Sequence, residues 1–423
     1  MNWTEIIPSL SSQDSSLQDA FSALSISRVG QGHKDARLVH ESAILYGKAL
    51  KELQTALFDP SRMHSDQVLM ACMLLGLYEV FEGPAFNSRS WMAHATGAAR
   101  LIQLRGPHRH QNWDAHHPFL ASRIPTIYAA ILQRKTTYLA AEEWLTVPWE
   151  FQLRTYMDRL VDLGTLVPGI LERFDTLRES DSNTAADLLQ LLEECKDLQE
   201  RMNRWKDATK KGAVPRVVKH DAGDPDGYPF ETDLWFENHL FVHARLVYYT
   251  CSLVLAEAAH GIQQALNLRD HKTSELDQSS WLTDLFPTER HAANICRIVP
   301  YCLQPEMGAL GANIINFPAN LAIAYYRRIG HIAATTWLVK AFSNIKIRGL
   351  HVDNVFNEIL PSARGRDDAV DYFKSESNMD SPETGTSPCS SLSCTSQSLV
   401  SSAATFVYED PSKEYYDASD DPG

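Results

Sequence analysis

The sequence is poor in the features that most chemistry needs, and each shortage excludes something. It has seven cysteines in 423 residues, none before Cys72 and no C-x-x-C pair anywhere. A closely spaced thiolate zinc site and a disulfide framework are both excluded. Cys72, Cys195, Cys251, Cys296 and Cys302 fall within apolar helical patterns, as small core residues do in a reducing compartment; Cys389 and Cys394 do not. Basic charge is also short. Thirty-nine Lys and Arg against 53 Asp and Glu leave a net charge of −14 and a pI near 5.6. A chain that grips phosphates by itself needs the opposite balance. The opening MNWTEIIPSLSSQDSS has neither a basic nor an apolar signal region, so Asn2-Trp3-Thr4 is a chance glycosylation match. No uninterrupted apolar run reaches the ~18 residues of a membrane span. Leu240 to Leu255 carries His243 and Arg245, and Gly311 to Tyr326 is broken by Asn313, Asn316, Pro318 and Asn320. The motifs G-x-S-x-G, H-E-x-x-H, G-x-x-x-x-G-K and G-x-G-x-x-G are all missing, so no catalytic, cofactor-binding, metal or DNA-binding residue is assigned and no enzyme is expected.

What the chain has is helical periodicity. Asp66 to Pro107 reads as a buried helical hairpin around which the rest is organised. In the first arm Val68, Cys72 and Leu75 share one face, and Leu69, Met73, Gly76 and Val80 the next. A stripe that wide suits a helix covered on most of its circumference. Ser65 or Asp66 caps it and Gly83-Pro84 ends it. The second arm starts near Asn87 or Ser88, repeats its stripe as Trp91, Ala95, Ala98 and Ile102, and stops at Gly106-Pro107. Gly76 and Gly97 each cost about 1 kcal/mol against Ala inside a helix, which predicts close approach of two backbones. Trp91 is expected to be a core aromatic whose truncation costs about 3–5 kcal/mol.

Elsewhere, residues 1–16 read as a flexible N-terminus. Leu17 to Ser27 is helical, with a break over Val29 to Lys34. Asp35 to Phe58 is an amphipathic helix with Leu38, Ser42, Leu45, Ala49 and Leu53 on one side. HRHQNWDAHH reads as a polar loop, Pro118 to Tyr138 as one helix or two with Pro125 near an entry turn, and Trp144, Pro148 and Trp149 as an aromatic corner before short helices over 150–178. Leu188, Leu191, Cys195, Leu198, Met202 and Trp205 form a heptad seam of under three heptads, which fits an intramolecular packing face or a dimer contact. A basic linker covers about 206–230. Helices follow at about 232–260, 288–302, 317–342 and 349–361, with 271–286 as a loop. From Lys374 the chain turns Ser-rich and apolar-poor, a composition that cannot offset the entropy of ordering. The fold class is all-α: a large multi-helix bundle over 17–373 with a disordered acidic tail over 374–423.

Several constellations invite a functional reading. DAGDPDG resembles a calcium loop at Asp224, Asp226 and Gly227, but Ala222 replaces the first ligand and Asp233 stands where a bidentate Glu belongs, which favours a surface turn. His108, His110, His116 and His117 lie close together but have only Asp114 beside them, which favours a polar loop over a metal site. Glu79 on an apolar helix needs a partner, and His94, Arg100 and Arg105 on the next helix are the candidates. Arg201 to Lys219 could import the chain into a nucleus or be a solvated linker, and the acidic, aromatic end (Phe406, Tyr408, Tyr415, Tyr416) has the composition of an activation segment.

These residues also carry a family resemblance. ALKELQTALFD, DQVLMACMLLGLYEVFEG and WMAHATGAARLIQLRGP, in that order, are followed by TTYLAAEEWLTVPW. The likeness returns in ICRIVPYCLQPEMGALGANIINFPANLAIAYY and TTWLVKAFSNIKIRGL. Together they resemble the helical regulatory region of fungal transcription factors of the zinc-cluster type, over about Leu17 to Leu360. The resemblance implies an all-α body, a nuclear setting and a role in regulating a metabolic or secondary-metabolite gene set. It also implies protein partners from the transcription machinery or a dimer partner, with no membrane. Members of that family bind DNA through a head in which six clustered cysteines hold two zinc ions, and that pattern is missing here. The expectation is therefore a regulator without its own head, reaching DNA only indirectly unless a head lies upstream, with any small-molecule effector unspecified. A helical adaptor or small-molecule sensor with no DNA role is the competing expectation.

Overall fold

Asp14 opens the first helix by accepting the N–H groups of Ser16 and Leu17 (2.9 and 3.2 Å). In the computed structural model the described residues are Ile7, 14–82, 88–179, 184–208, 214–220, 227–269 and 279–343. Helix α1 (Ser15–His33) packs along α2 (Ala36–Phe58), which Asp35 caps. The expected break at Val29 to Lys34 is not there; α1 runs on to His33 before Lys34 turns left-handed at φ 56°. The reason is tertiary. A Cβ on Gly30 would lie 2.9 Å from Leu38 Cβ, so the glycine lets α2 seat against an unbroken helix.

The predicted hairpin forms as α3 (Asp66–Glu82) and α4 (Ser88–Arg105), with Ser65 Oγ accepting the Val68 N–H at 3.2 Å as the cap. The backbones do approach closely: a Cβ on Gly76 would stand 3.2 Å from His94 Cβ. Val68, Leu69, Leu75 and Ile102 are fully buried. Trp91 is only half-buried, its ring 6.4 Å from Phe317, because the start of α4 lies at the margin of the core. The expected cost of Trp91→Ala is therefore smaller, about 1–3 kcal/mol. Chemical denaturation should show a modest shift of the midpoint with an unchanged slope.

After a 3₁₀ turn (Pro107–Gln111), α5 (Trp113–Gln133) carries both Pro118 and Pro125 inside it, so Pro125 is not at an entry turn. An interior proline costs roughly 3 kcal/mol. Burial of Phe119, Ile127, Tyr128 and Ile131 on the same helix, at about 1.5–3 kcal/mol each, outweighs it. The aromatic corner forms over α6 (Glu142–Thr146) and the 3₁₀ turn Val147–Trp149, followed by α7 (Tyr156–Gly164) and α8 (Val167–Glu179).

Helix α9 (Ala185–Asp207) starts with a Thr184–Asp187 capping box and buries the whole heptad seam. The seam packs on α10 (His239–Arg269), tied by Gln199 to Ser252 at 3.2 Å and Tyr248 to Asn203 at 2.6 Å. Of the two expectations for the seam, the intramolecular face is the one observed.

The basic stretch is more structured than a linker. Its strand β1 (Arg216–Lys219) pairs antiparallel with β2 (Thr232–Trp235), Arg216 opposite Trp235 and Lys219 opposite Thr232. The helix expected from 232 consequently begins at His239. Two contacts close the hairpin on itself and a third ties it to the helix Thr288–Leu303. His220 Nδ1–H donates to Asp233 (2.9 Å), Tyr228 stacks on His220 (3.7 Å between rings), and Arg297 donates to the Thr232 carbonyl (2.9 Å). The last pairing links residues 65 apart in sequence, and a helical period cannot announce it.

The remaining body is α11 (Ser279–Leu285), within the expected loop, then α12 (Thr288–Leu303), α13 (Gly308–Arg328) and α14 (Ile332–Ser343). The single helix expected over 317–342 is thus two, parted at Gly330. The helix expected at 349–361, the acidic tail, most of residues 1–13 and the calcium-like 221–226 lie outside the described residues. His239–Leu268 and Pro305–Arg328 are long and apolar enough to cross a membrane by length and composition. Their apolar windows are 78% and 72% buried inside the fold, where they serve as core.

Candidate functional site

The four clustered histidines do not converge. His108 is exposed and His117 stands edge-on to Trp113, 4.6 Å between rings. His110 and His116 are buried, and each Nδ1–H donates to a backbone carbonyl, of Ala115 (2.9 Å) and His110 (2.8 Å) respectively. What was expected to be a polar loop is a turn and a helix start sealed under Trp144 and Trp149. Among the described residues no three His, Cys, Asp or Glu side chains are grouped to hold a metal. Glu79 accepts from the Tyr46 hydroxyl, with His94 Nε2 a further 3.4 Å from that oxygen. Arg100 bonds Gln103, and Arg105 bonds Asp66 at 3.0 Å and the Ser65 carbonyl, so neither arginine is its partner.

Burial pushes the His110 imidazole down to about 4 and that of His291 on α12 to about 3, and it also lowers His116. The unfolded chain, with ordinary histidines near pH 6.5, then binds more protons than the folded one between these values. Their contribution is complete above about pH 6.5 and is lost as pH falls toward 4, approaching about 1.4 kcal/mol per pH unit for each histidine. Melting temperature is expected to fall steadily from pH 7 to 5. The slope should flatten in a His291→Phe variant.

One cavity carries a chemistry of its own. It holds about 740 Å³ between α10, α13 and the α11–α12 turn. At its wall Glu257, only 6% exposed, is bonded by the Arg328 guanidinium, which lies 5.5 Å from the centre of the Tyr325 ring. Burial raises the Glu257 carboxyl, opposed by Arg328. His260 gives its Nδ1–H to the Ala256 carbonyl (2.7 Å), which leaves Nε2 as the acceptor. Phe286 supplies the apolar wall and Arg290, from the first turn of α12, an exposed guanidinium. Sequence reading passed over all of these. The signal was present in Glu257, an acid set in LVLAEAAHG, but its partner lies 71 residues on at Arg328.

A family model described as "Fungal specific transcription factor domain" matches residues 2–285, about two thirds of the sequence. The chain belongs to this family. The match covers the α3–α4 hairpin and the α9–α10 seam and stops at the edge of the cavity, whose other side comes from α12 and α13. The resemblance in the three N-terminal motifs is thereby confirmed, and the family is one of transcription regulators. The chain is also similar to an uncharacterized protein of Emericella nidulans, 28% identical over 201 residues, 44% of this chain. That stretch spans 42% of the relative's length. No solved structure matches this fungal transcription factor domain chain.

Proposed function

We propose that this protein is a nuclear regulator of transcription whose helical body is the regulatory part, acting on a metabolic or secondary-metabolite gene set. The observation that carries the reading is the family match across the helical body, residues 2–285. Its acidic balance and scattered cysteines support a division of labour. Contact with DNA comes from outside these 423 residues, from a zinc-cluster segment or a DNA-binding protein partner. The helical body then joins that contact to the transcription machinery. Chromatin immunoprecipitation of the epitope-tagged protein tests this, together with nuclear fractionation. Enrichment at a limited set of promoters, with transcripts that change on deletion, is the expected result. An intact nuclear pool with no promoter enrichment would remove the reading in favour of a helical adaptor.

A further inference from the structure

We propose that the cavity between α10, α13 and the α11–α12 turn is a binding site for a small organic acid with an apolar body. Its volume, about 740 Å³, lies in the range of small-molecule pockets, and its floor is apolar: Phe286, 1% exposed, with Tyr325 and Ala293. The lining carries two carboxylates, Glu257 and Glu289, and two guanidiniums, Arg290 and Arg328. The one deeply buried carboxylate, Glu257, is already neutralised by Arg328. Arg328 spends one side of its guanidinium on that bond, and the planar fork has further N–H groups to offer a second carboxylate. Arg290 adds a guanidinium with no carboxylate partner among the described residues. The cavity wall also includes the opening turn of α12, a 16-residue helix whose N-cap, Pro287, makes no side-chain cap bond. The Thr288 N–H is already given to the Phe286 carbonyl (2.8 Å), and the remaining opening N–H groups and the helix dipole favour negative charge there. The exposed Glu289 opposes it, and solvent screens this carboxylate and the neighbouring, equally exposed Arg290 alike.

The ligand this arrangement selects has a carboxylate at the Arg290–Arg328 end and an aromatic or aliphatic body along Phe286 and Tyr325. That such an acid would tune promoter activity rests on the proposed function; that it binds does not.

The test uses the purified full chain and a panel of aryl and alkyl carboxylic acids, each paired with its own primary amide, read by ligand-observed NMR and calorimetry. Saturable binding of at least one acid is expected, with its amide weaker by roughly tenfold or more, the cost of losing a charge-assisted bidentate contact. Arg290→Gln changes an exposed side chain, so the fold should persist by circular dichroism while affinity for the acid falls by a similar factor. Equal binding of acid and amide, an affinity unchanged in R290Q, or no saturable binding across the panel would each overturn the proposal. Promoter enrichment is measured separately, so loss of the regulator reading and loss of the binding site give different results.

Discussion

Gly311→Ala is expected to abolish stable folding, or to cost at least about 3 kcal/mol, at the upper end of overpacking effects. Gly311 lies near the start of α13, directly against the end of α12. A Cβ built there would stand 2.0 Å from the Cys302 carbonyl oxygen, 2.9 Å from its carbon and 2.7 Å from Met307 Cβ. The obstacle is backbone, with no rotamer to turn aside, so α12 and α13 must separate. Both helices carry fully buried core residues on either side, among them Ile298, Val299, Ile315 and Leu321. Helix propensity pulls the other way by about 1 kcal/mol and is too small to compensate. Gly47→Ala on α2 is the matched control, because nothing lies within 4 Å of its added methyl. It should stabilise by about 0.5–1 kcal/mol. Equilibrium denaturation of the two variants should therefore give opposite signs for the same substitution, and equal signs would show that the α12–α13 approach is looser than described.

Arg123→Met should be nearly as damaging, at about 3–5 kcal/mol, since it leaves the buried Asp158 without its guanidinium and Asp162 with Arg154 alone. Arg123, 2% exposed on α5, bonds Asp158 at 3.2 Å and also Asp162, both on α7. Its guanidinium and that of Arg154 each lie 5.0 Å from the centre of the Trp149 ring, and Arg154 reaches Asp162 at 3.1 Å. This cluster joins α5, α7 and the aromatic corner. Burial raises the Asp162 carboxyl, and Arg123 and Arg154 bring it part of the way down. Without Arg123 that carboxyl rises further, so the folded variant holds its proton to higher pH than the unfolded chain does. The penalty of R123M relative to wild type should accordingly shrink as pH falls from 7 toward 4.5. A penalty that does not change with pH would mean the loss is packing rather than stranded charge. Arg123→Lys should recover only part of the stability, because an ammonium cannot reproduce the flat fork that reaches two carboxylates and covers the Trp149 ring.

The outcomes divide along a physical line. Local order was legible wherever one helix had to bury a stripe of its own residues. The α3–α4 hairpin was marked by Ser65 at its start and Gly106-Pro107 at its end, and the α9 seam by its alternating three and four spacing; the expected stop at Gly83-Pro84 lies outside the described residues. The family was legible for the same reason, in motifs built from those stripes. What depended on a neighbour distant in sequence could not be read. Gly30 looked like a helix stop and is a seat for Leu38. Pro125 looked like a boundary and is carried by the burial of Phe119 and Ile131. The basic linker hid a strand that only Thr232 to Trp235 could pair. Glu79 found Tyr46 on α2 instead of a charge on α4, and Glu257 found Arg328 to make the cavity wall. Sequence by itself determined the all-α class, the amphipathic faces of the α3–α4 hairpin and of α9, and the family, because those follow from period and propensity along one segment. The tertiary structure alone decided which helices pass through prolines and glycines, which charges pair, and where a cavity opens, because each of those depends on free energy shared between segments that meet only in the folded chain.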